Sequence, residues 1–253
     1  MTAPILDLRK VTKVFGGVTA VREVNMSVEA GSITAVIGPN GAGKTSLFNV
    51  STGFEEPTEG QVLFEGEDVT GLEPWRVARK GLIRTFQTPT GFPALSVWEN
   101  LMVGGTSDRD ESLWRAMRGA WHSGERTTNQ RARQVLTDLG LWDRRDTLLA
   151  DLSPGDVKLV DFARQLMAEP KMVLLDEPAS GVDPASIGRL GSVIRQVRER
   201  NVTVLVIDHN IGFVLGIADQ VHVMALGQVI ASGSPDDVVR DPVVNEIYLG
   251  RSA

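Results

Sequence analysis

The chain has 253 residues, 42% of them hydrophobic, a formal net charge of -6 and no cysteine. That composition supplies one large domain or a core domain with a smaller lobe, excludes disulfides and thiolate metal sites, and argues against an extended nucleic-acid surface. No run approaches the ~18–20 apolar residues of a membrane span and MTAPILDLRK does not read as a signal peptide, so a soluble, cytoplasmic protein is expected.

From Leu6 to Phe64 come the short alternating or β-rich runs LDLRKVTKVF, VTAVREVNMSV and QVLFEG, with Gly16-Gly17, Gly31 and Gly66 as turns. They predict a small, largely antiparallel sheet laid against whatever the intervening segment binds. That segment is an apolar strand, Ile33 to Ile37, followed by GPNGAGKTS: Gly38, Pro39, Asn40, Gly41, Ala42, Gly43, Lys44, Thr45 and Ser46. Its Gly-x-x-x-x-Gly-Lys-Ser/Thr spacing, with a strand before it and a helix opening at about Lys44, is that of a phosphate-binding loop. Glycines let successive amides approach phosphate oxygens, and the helix adds the positive end of its dipole. Lys44 is expected to neutralise the β and γ phosphates, and Thr45 to offer its hydroxyl to Mg²⁺.

Gln87, in RTFQTP, carries little signal by itself. Residues 86–101, FQTPTGFPALSVWENL, put the apolar Phe92, Leu95 and Trp98 in a Pro- and Gly-punctuated stretch that either receives a partner or packs inward. The polar loop GGTSDRDES precedes a stretch from Leu113 through Leu149 with helical spacing of Trp114, Trp121, Leu136, Leu139 and Trp142, so residues 88–158 read as a mainly helical lobe. Arg131, Arg133 and Gln134 read as a solvated helix face, and the five tryptophans as packing or partner-facing groups.

MVLLD (172–176) and VTVLVID (202–208) read as strands buried on both faces, separated by the helix-like SIGRLGSVIRQVRER. This is the parallel α/β pattern, whose ligands sit at the carboxyl ends of the strands. Asp176 and Glu177 follow the first of these strands. Two acids there are ordinarily a solvated loop start, but beside a phosphate loop one can hold Mg²⁺ and the other can deprotonate water. Lys44 and Asp176 are expected on neighbouring strands. His209 ends the second strand, where it can donate to a γ phosphate.

Taken in order, Gly38 to Ser46, Gln87, LSPGD (152–156), VLLDEP (173–178), SGVD (180–183) and His209 resemble the Walker A, Q-loop, signature, Walker B, D-loop and H-loop of an ABC transporter ATPase subunit. FGGVTAV, IRTFQ, the polar insertion near 104–128 and the ending DPVVNEIYLG are similar to the larger-type ATPase subunit of branched-chain amino acid importers. The resemblance implies an α/β P-loop NTPase (RecA-like) core with an antiparallel β subdomain and a helical subdomain. It implies a single domain, residues 1–253, with the nucleotide-binding core in 1–87 and 159–253 and the helical part in 88–158. ATP and Mg²⁺ are the implied cofactors, with Phe15 stacked on adenine, Thr45, Gln87 and Asp176 at the metal, and Glu177, His209 and Gln87 in catalysis. Ser153 and Gly155 would reach the γ phosphate held by a second ATPase subunit, in a homo- or heterodimer, and Asp183 would act across that interface.

The implied partners are membrane permease subunits and, indirectly, a solute-binding protein, with the chain peripheral on the inner face of the cell membrane; no nucleic acid is expected. Two other readings are a non-transport ABC ATPase and an ATP-binding module with weak turnover. The second is motivated by the signature, where Pro154 and Asp156 stand at the third and fifth positions of a motif that is usually Leu-Ser-Gly-Gly-Gln. A carboxylate there is expected to repel a triphosphate, and its replacement by Gln to raise turnover.

Overall fold

The computed structural model describes residues 3–85, 90–104 and 121–249. In chain order its strands are β1 (Leu6–Phe15), β2 (Val18–Val28), β3 (Ile33–Ile37), β4 (Glu59–Phe64), β5 (Glu67–Asp68), β6 (Leu82–Arg84), β7 (Met172–Asp176), β8 (Thr203–Ile207), β9 (Gln220–Ala225) and β10 (Gln228–Gly233). Its helices are α1 (Lys44–Ser51), α2 (Pro74–Arg79), α3 (Val97–Gly104), α4 (Trp121–Asp138), α5 (Pro154–Leu166), α6 (Pro184–Glu199), α7 (Ile211–Ile217), α8 (Pro235–Arg240) and α9 (Pro242–Leu249).

One sheet runs β2-β1-β4-β5 and is antiparallel throughout, as the alternating N-terminal runs predict. The other runs β10-β9-β3-β8-β7-β6 and is parallel apart from the β9-β10 hairpin. Every residue of β3, β7 and β8 is buried. Side chains alternate across a strand, so each of these strands feeds two cores. Ile33, Ala35, Val173, Leu175, Val204 and Val206 join a core with Leu101 of α3 and Leu136 of α4. Val36, Leu174, Leu205 and Ile207 face the opposite way, onto Leu47 and Phe48 of α1 and Leu6, Leu8 and Phe64 of the antiparallel sheet. Helix α1 is thereby fixed between the sheets by side chains each worth about 1.5–3 kcal/mol of burial.

β7 is not the neighbour of β3, contrary to the expectation for Lys44 and Asp176: β8 lies between them. A strand buried on both faces advertises that it is internal but not which strand it pairs with. The register still brings their ends level, because Asp176 pairs with Ile207 and Ile207 with Val36. The loop after β3, the acids after β7 and the Asp208-His209 pair after β8 therefore share one carboxyl edge, where a parallel sheet places its ligands.

Three helices enter in the same way. Ser153, Asp183 and Ser234 each cap a helix by accepting a backbone N–H, and Pro154, Pro184 and Pro235 follow. Proline suits a first helical position because its missing N–H would have no partner there. No helix among the described residues is long and apolar enough to cross a membrane.

Candidate functional site

The loop after β3 is shaped by what its glycines touch. A Cβ on Gly38 would fall 2.2 Å from the carbonyl oxygen of Met224, and one on Gly43 would fall 2.1 Å from that of Ala20, whereas one on Gly41 would meet nothing within 4 Å. Gly38 and Gly43 thus seat the loop against β9 and β2, and Gly41 leaves its outer side open. Gly43, at φ 98°, precedes α1, whose N-terminus has no side-chain cap and no acid in its first turn. Its first amides are therefore of the kind that can receive an anion.

Lys44 is buried and donates from Nζ to the carbonyl oxygens of Gly38 (2.8 Å) and Pro39 (3.0 Å), folding back over its own loop. Burial lowers its pKa, and the negative charges of Glu177 and Asp176 oppose that shift. Thr45 is exposed in the first turn of α1. Phe15, at the end of β1, is 40% exposed, with the Lys13 ammonium 4.8 Å from its ring centroid. Its ring can accept a stacked base.

Asp176 ends β7 as a buried carboxylate whose Oδ2 accepts from the Arg84 guanidinium at 2.6 Å. Arg84 lies at the end of β6, reaches Asn49 of α1 with its other terminal nitrogen, and sits over the rings of Phe48 and Phe54. Glu177 follows in the left-handed region at φ 50°. Its Oε1 lies 2.7 Å from His209 Nε2, its N–H donates to Ile207 O at 2.8 Å, and its carbonyl accepts from Lys158 Nζ at 2.9 Å. Asp208, beside His209, accepts the N–H of Ala179 (2.7 Å) and of Asn210 (2.8 Å), which locks the two strand-end loops together. Gln87 lies outside the described residues.

The ABC transporter model matches residues 21–180, and the model described as branched-chain amino acid ATP-binding cassette transporter matches residues 228–253. The chain belongs to the ABC transporter family. It is 37% identical to a probable branched-chain amino acid transport ATP-binding protein LivG from Archaeoglobus fulgidus, over 97% of this chain and 95% of the relative. To the high-affinity branched-chain amino acid transport ATP-binding protein BraF from Pseudomonas aeruginosa it is 36% identical over 100% of both. The crystal structure of an ABC transporter's ATP-binding cassette in its ADP conformation superimposes with a TM-score of 0.86 at 37% identity, covering 98% of this chain and 100% of that one. The molecule is accordingly a nucleotide-binding cassette, the ATPase component of a transporter.

In this cassette the signature departure has a structural reason. Asp156 is buried, its Oδ1 accepts from Arg189 at 2.9 Å, and its Oδ2 pairs with Arg144 and accepts the Ser153 hydroxyl at 2.8 Å. Two guanidinium groups compensate the charge that the sequence suggested would repel a triphosphate. Asp156→Gln is therefore expected to destabilise the fold rather than to raise turnover. Charged hydrogen bonds to a buried carboxylate are lost, and because Arg144 and Arg189 are 52% and 38% exposed the cost is about 2 kcal/mol rather than that of a fully buried pair. Thermal unfolding checks this, and an unchanged midpoint would count against it.

Ser153 is exposed at the N-terminus of α5, while Gly155 is buried, where a Cβ would come 3.4 Å from Ser186 and from Val182. Asp183 accepts the Ser186 N–H at 3.0 Å as the cap of α6. Trp98 packs edge-on against Trp142, with ring centroids 6.1 Å apart, and so belongs to the helical core. Phe92 remains 44% exposed, with the Arg164 guanidinium 5.3 Å from its ring. Arg131 pairs with Glu169 and Arg133 covers Trp142, which accounts for that basic run within the fold. Trp114 and the side chain of Trp121 lie outside the described residues.

Sequence reasoning passed over Arg84 and Lys158. The signal for Arg84 was a cation closing the short apolar strand LIR, where a buried charge requires a partner. For Lys158 it was a lysine one turn into the helix that the signature opens, on the side facing the sheet.

Proposed function

We propose that this cassette energises the uptake of branched-chain amino acids by binding and hydrolysing ATP and driving partner permease subunits. The observation that carries the chemistry is the shared carboxyl edge at which Lys44, Asp176, Glu177 and His209 converge. The solute class is supported by the C-terminal match at 228–253 and by the full-length relatives.

The backbone from Gly38 to Ser46 and the Lys44 ammonium hold the phosphates, and Phe15 stacks on adenine. Thr45, Asp176 and Gln87 would hold Mg²⁺, oxygen donors of the kind that ion takes together with nucleotide phosphates and water. Bound Mg²⁺ would neutralise charge developing on the phosphates. Glu177 removes a proton from the attacking water, whose oxygen bonds to the γ phosphorus as the bond to the departing ADP breaks; His209, which already meets the Glu177 carboxylate, orients it and stabilises charge on the γ phosphate.

Ser153 and Gly155 of this chain reach the γ phosphate held by a second ATPase subunit, and Asp183 acts across the interface between the two. The nucleotide-binding core comprises 1–87 and 159–253, with residues 88–158 as the helical part that meets the permease. A solute-binding protein delivers the cargo outside, and the cassette sits on the inner face of the membrane. Compensation of Asp156 by Arg144 and Arg189 removes the motive for the weak-turnover reading.

Co-expression with its permeases, reconstitution and stimulation of ATP turnover by binding protein loaded with leucine, isoleucine or valine test the proposal. Turnover unmoved by those solutes, but raised by another class, would overturn the substrate assignment and leave the ATPase intact.

A further inference from the structure

Glu177 occupies a backbone conformation that a residue with a side chain adopts at a cost, φ 50°. Such a conformation persists where its surroundings over-determine it, at about 1–3 kcal/mol of strain. Here contacts reach every part of the residue: Ile207 O takes the N–H at 2.8 Å, His209 Nε2 lies 2.7 Å from the carboxylate, and Lys158 Nζ donates to the peptide carbonyl at 2.9 Å, which also accepts the Ser180 N–H at 3.2 Å from the turn that follows. The first two come from β8 and the turn after it, on the same sheet edge. The third comes from α5, an element of the other side of the site.

Lys158 is partly buried, with Asp208 and Glu177 as the negative charges near it. It lines a small cavity with Asp176, Thr85 and Leu175. Its ammonium is thus held where it can fix a carbonyl. The same helix begins at Ser153, the signature residue. One rigid element therefore carries the group offered to the opposite nucleotide and the clamp on this subunit's own glutamate.

We propose that Lys158 is a positioning residue for hydrolysis: by holding the Glu177 carbonyl it maintains the left-handed backbone that aims the carboxylate, and it ties that aim to the placement of α5. The inference rests on Glu177 being the general base. Movement of α5 as its N-terminus closes on a partner's nucleotide then displaces or secures the clamp, so each subunit's base is set by the same motion that completes its neighbour's site.

The test compares wild type, Lys158→Met, Lys158→Arg and Glu177→Gln, and the Lys158→Met/Glu177→Gln double variant, measuring kcat, KM and ATP affinity by calorimetry. Lys158→Met should lower kcat by about tenfold or more while ATP affinity stays within about twofold, because misplacing a catalytic group acts on the chemical step. Arginine, which retains a long cationic donor, should recover most of the loss. In the double variant the lysine change should add nothing to the loss already caused by Glu177→Gln, since both act through one carboxylate. A merely structural lysine would lower stability and affinity together and would add its loss in the Glu177→Gln background as well; that pattern overturns the proposal.

So does wild-type kcat in Lys158→Met alongside lost turnover in Glu177→Gln. Full turnover in Glu177→Gln instead overturns the reading of Glu177 as base. Should the methionine variant not fold, Lys158→Gln carries the same comparison: a shorter, neutral donor should lower kcat with affinity retained, and wild-type kcat would overturn the proposal.

Discussion

Glu177→Gln is expected to keep ATP binding and to lower turnover by about a hundredfold or more, the size of effect produced by removing a positioned general base. Glutamine has the same shape, so the N–H bond to Ile207 and the Lys158 contact at the carbonyl can both persist. What disappears is the negative oxygen opposite His209 Nε2. An amide cannot accept the proton of water, and its NH₂ facing the imidazole would demand the acceptor tautomer of His209. Binding should be spared because the proposed phosphate contacts lie on the loop after β3 and at Lys44. A cassette that binds and does not hydrolyse should accumulate in its ATP-bound form, visible as nucleotide retained on gel filtration. Turnover equal to wild type would remove Glu177 from the role of base.

The parts of this site that were legible in the sequence are those whose chemistry is local. Gly38 to Ser46 form a loop because a buried strand, permissive residues and a helix follow one another within a short stretch, and the structure begins α1 at Lys44 as the spacing predicts. MVLLD forms β7 over the whole of that run, and its apolar composition suffices for that. The order of the strands was not legible. Val204 and Val206 pack like Ile33 and Ala35, so nothing in their composition says that β8 must separate β3 from β7.

Asp156 shows the other kind of gap. Read along the chain it is an unexpected charge next to Ser153. Its meaning depends on Arg144, in the short turn Trp142–Arg144, and on Arg189, in α6, whose side chains reach it only once three elements have packed. Arg84 and Asp176 are the same case with a deeper burial: neither is informative until β6 lies beside β7. Charges that look anomalous in one dimension thus become ordinary when their partners arrive from elsewhere in the fold, and burial of the pair is what makes each indispensable to the other.

Lys44→Ala is expected to weaken ATP binding by about a hundredfold or more, leaving too little occupancy at millimolar nucleotide to support turnover. The lysine contributes a cation held close to its loop by the carbonyl oxygens of Gly38 and Pro39. When a triphosphate enters, the ammonium can exchange those neutral acceptors for charged phosphate oxygens, and charge-assisted hydrogen bonds are roughly twice as strong as neutral ones. The exchange requires little rearrangement, since the flexible stem already lies along the loop. The site also contains Asp176 and Glu177, both near enough to raise the pKa of Lys44 against the lowering effect of burial. With the ammonium gone, those carboxylates face an incoming polyanion without its compensation, so the variant loses attraction and leaves repulsion in place. Because Lys44 makes its contacts within its own loop and packs no core, the fold should survive, and circular dichroism should match wild type. Calorimetry at low and high salt separates the effects: the repulsive part should shrink as salt screens it, while the lost hydrogen bonds should not return. Affinity equal to wild type under both conditions would show that the loop from Gly38 to Ser46 does not hold the phosphates.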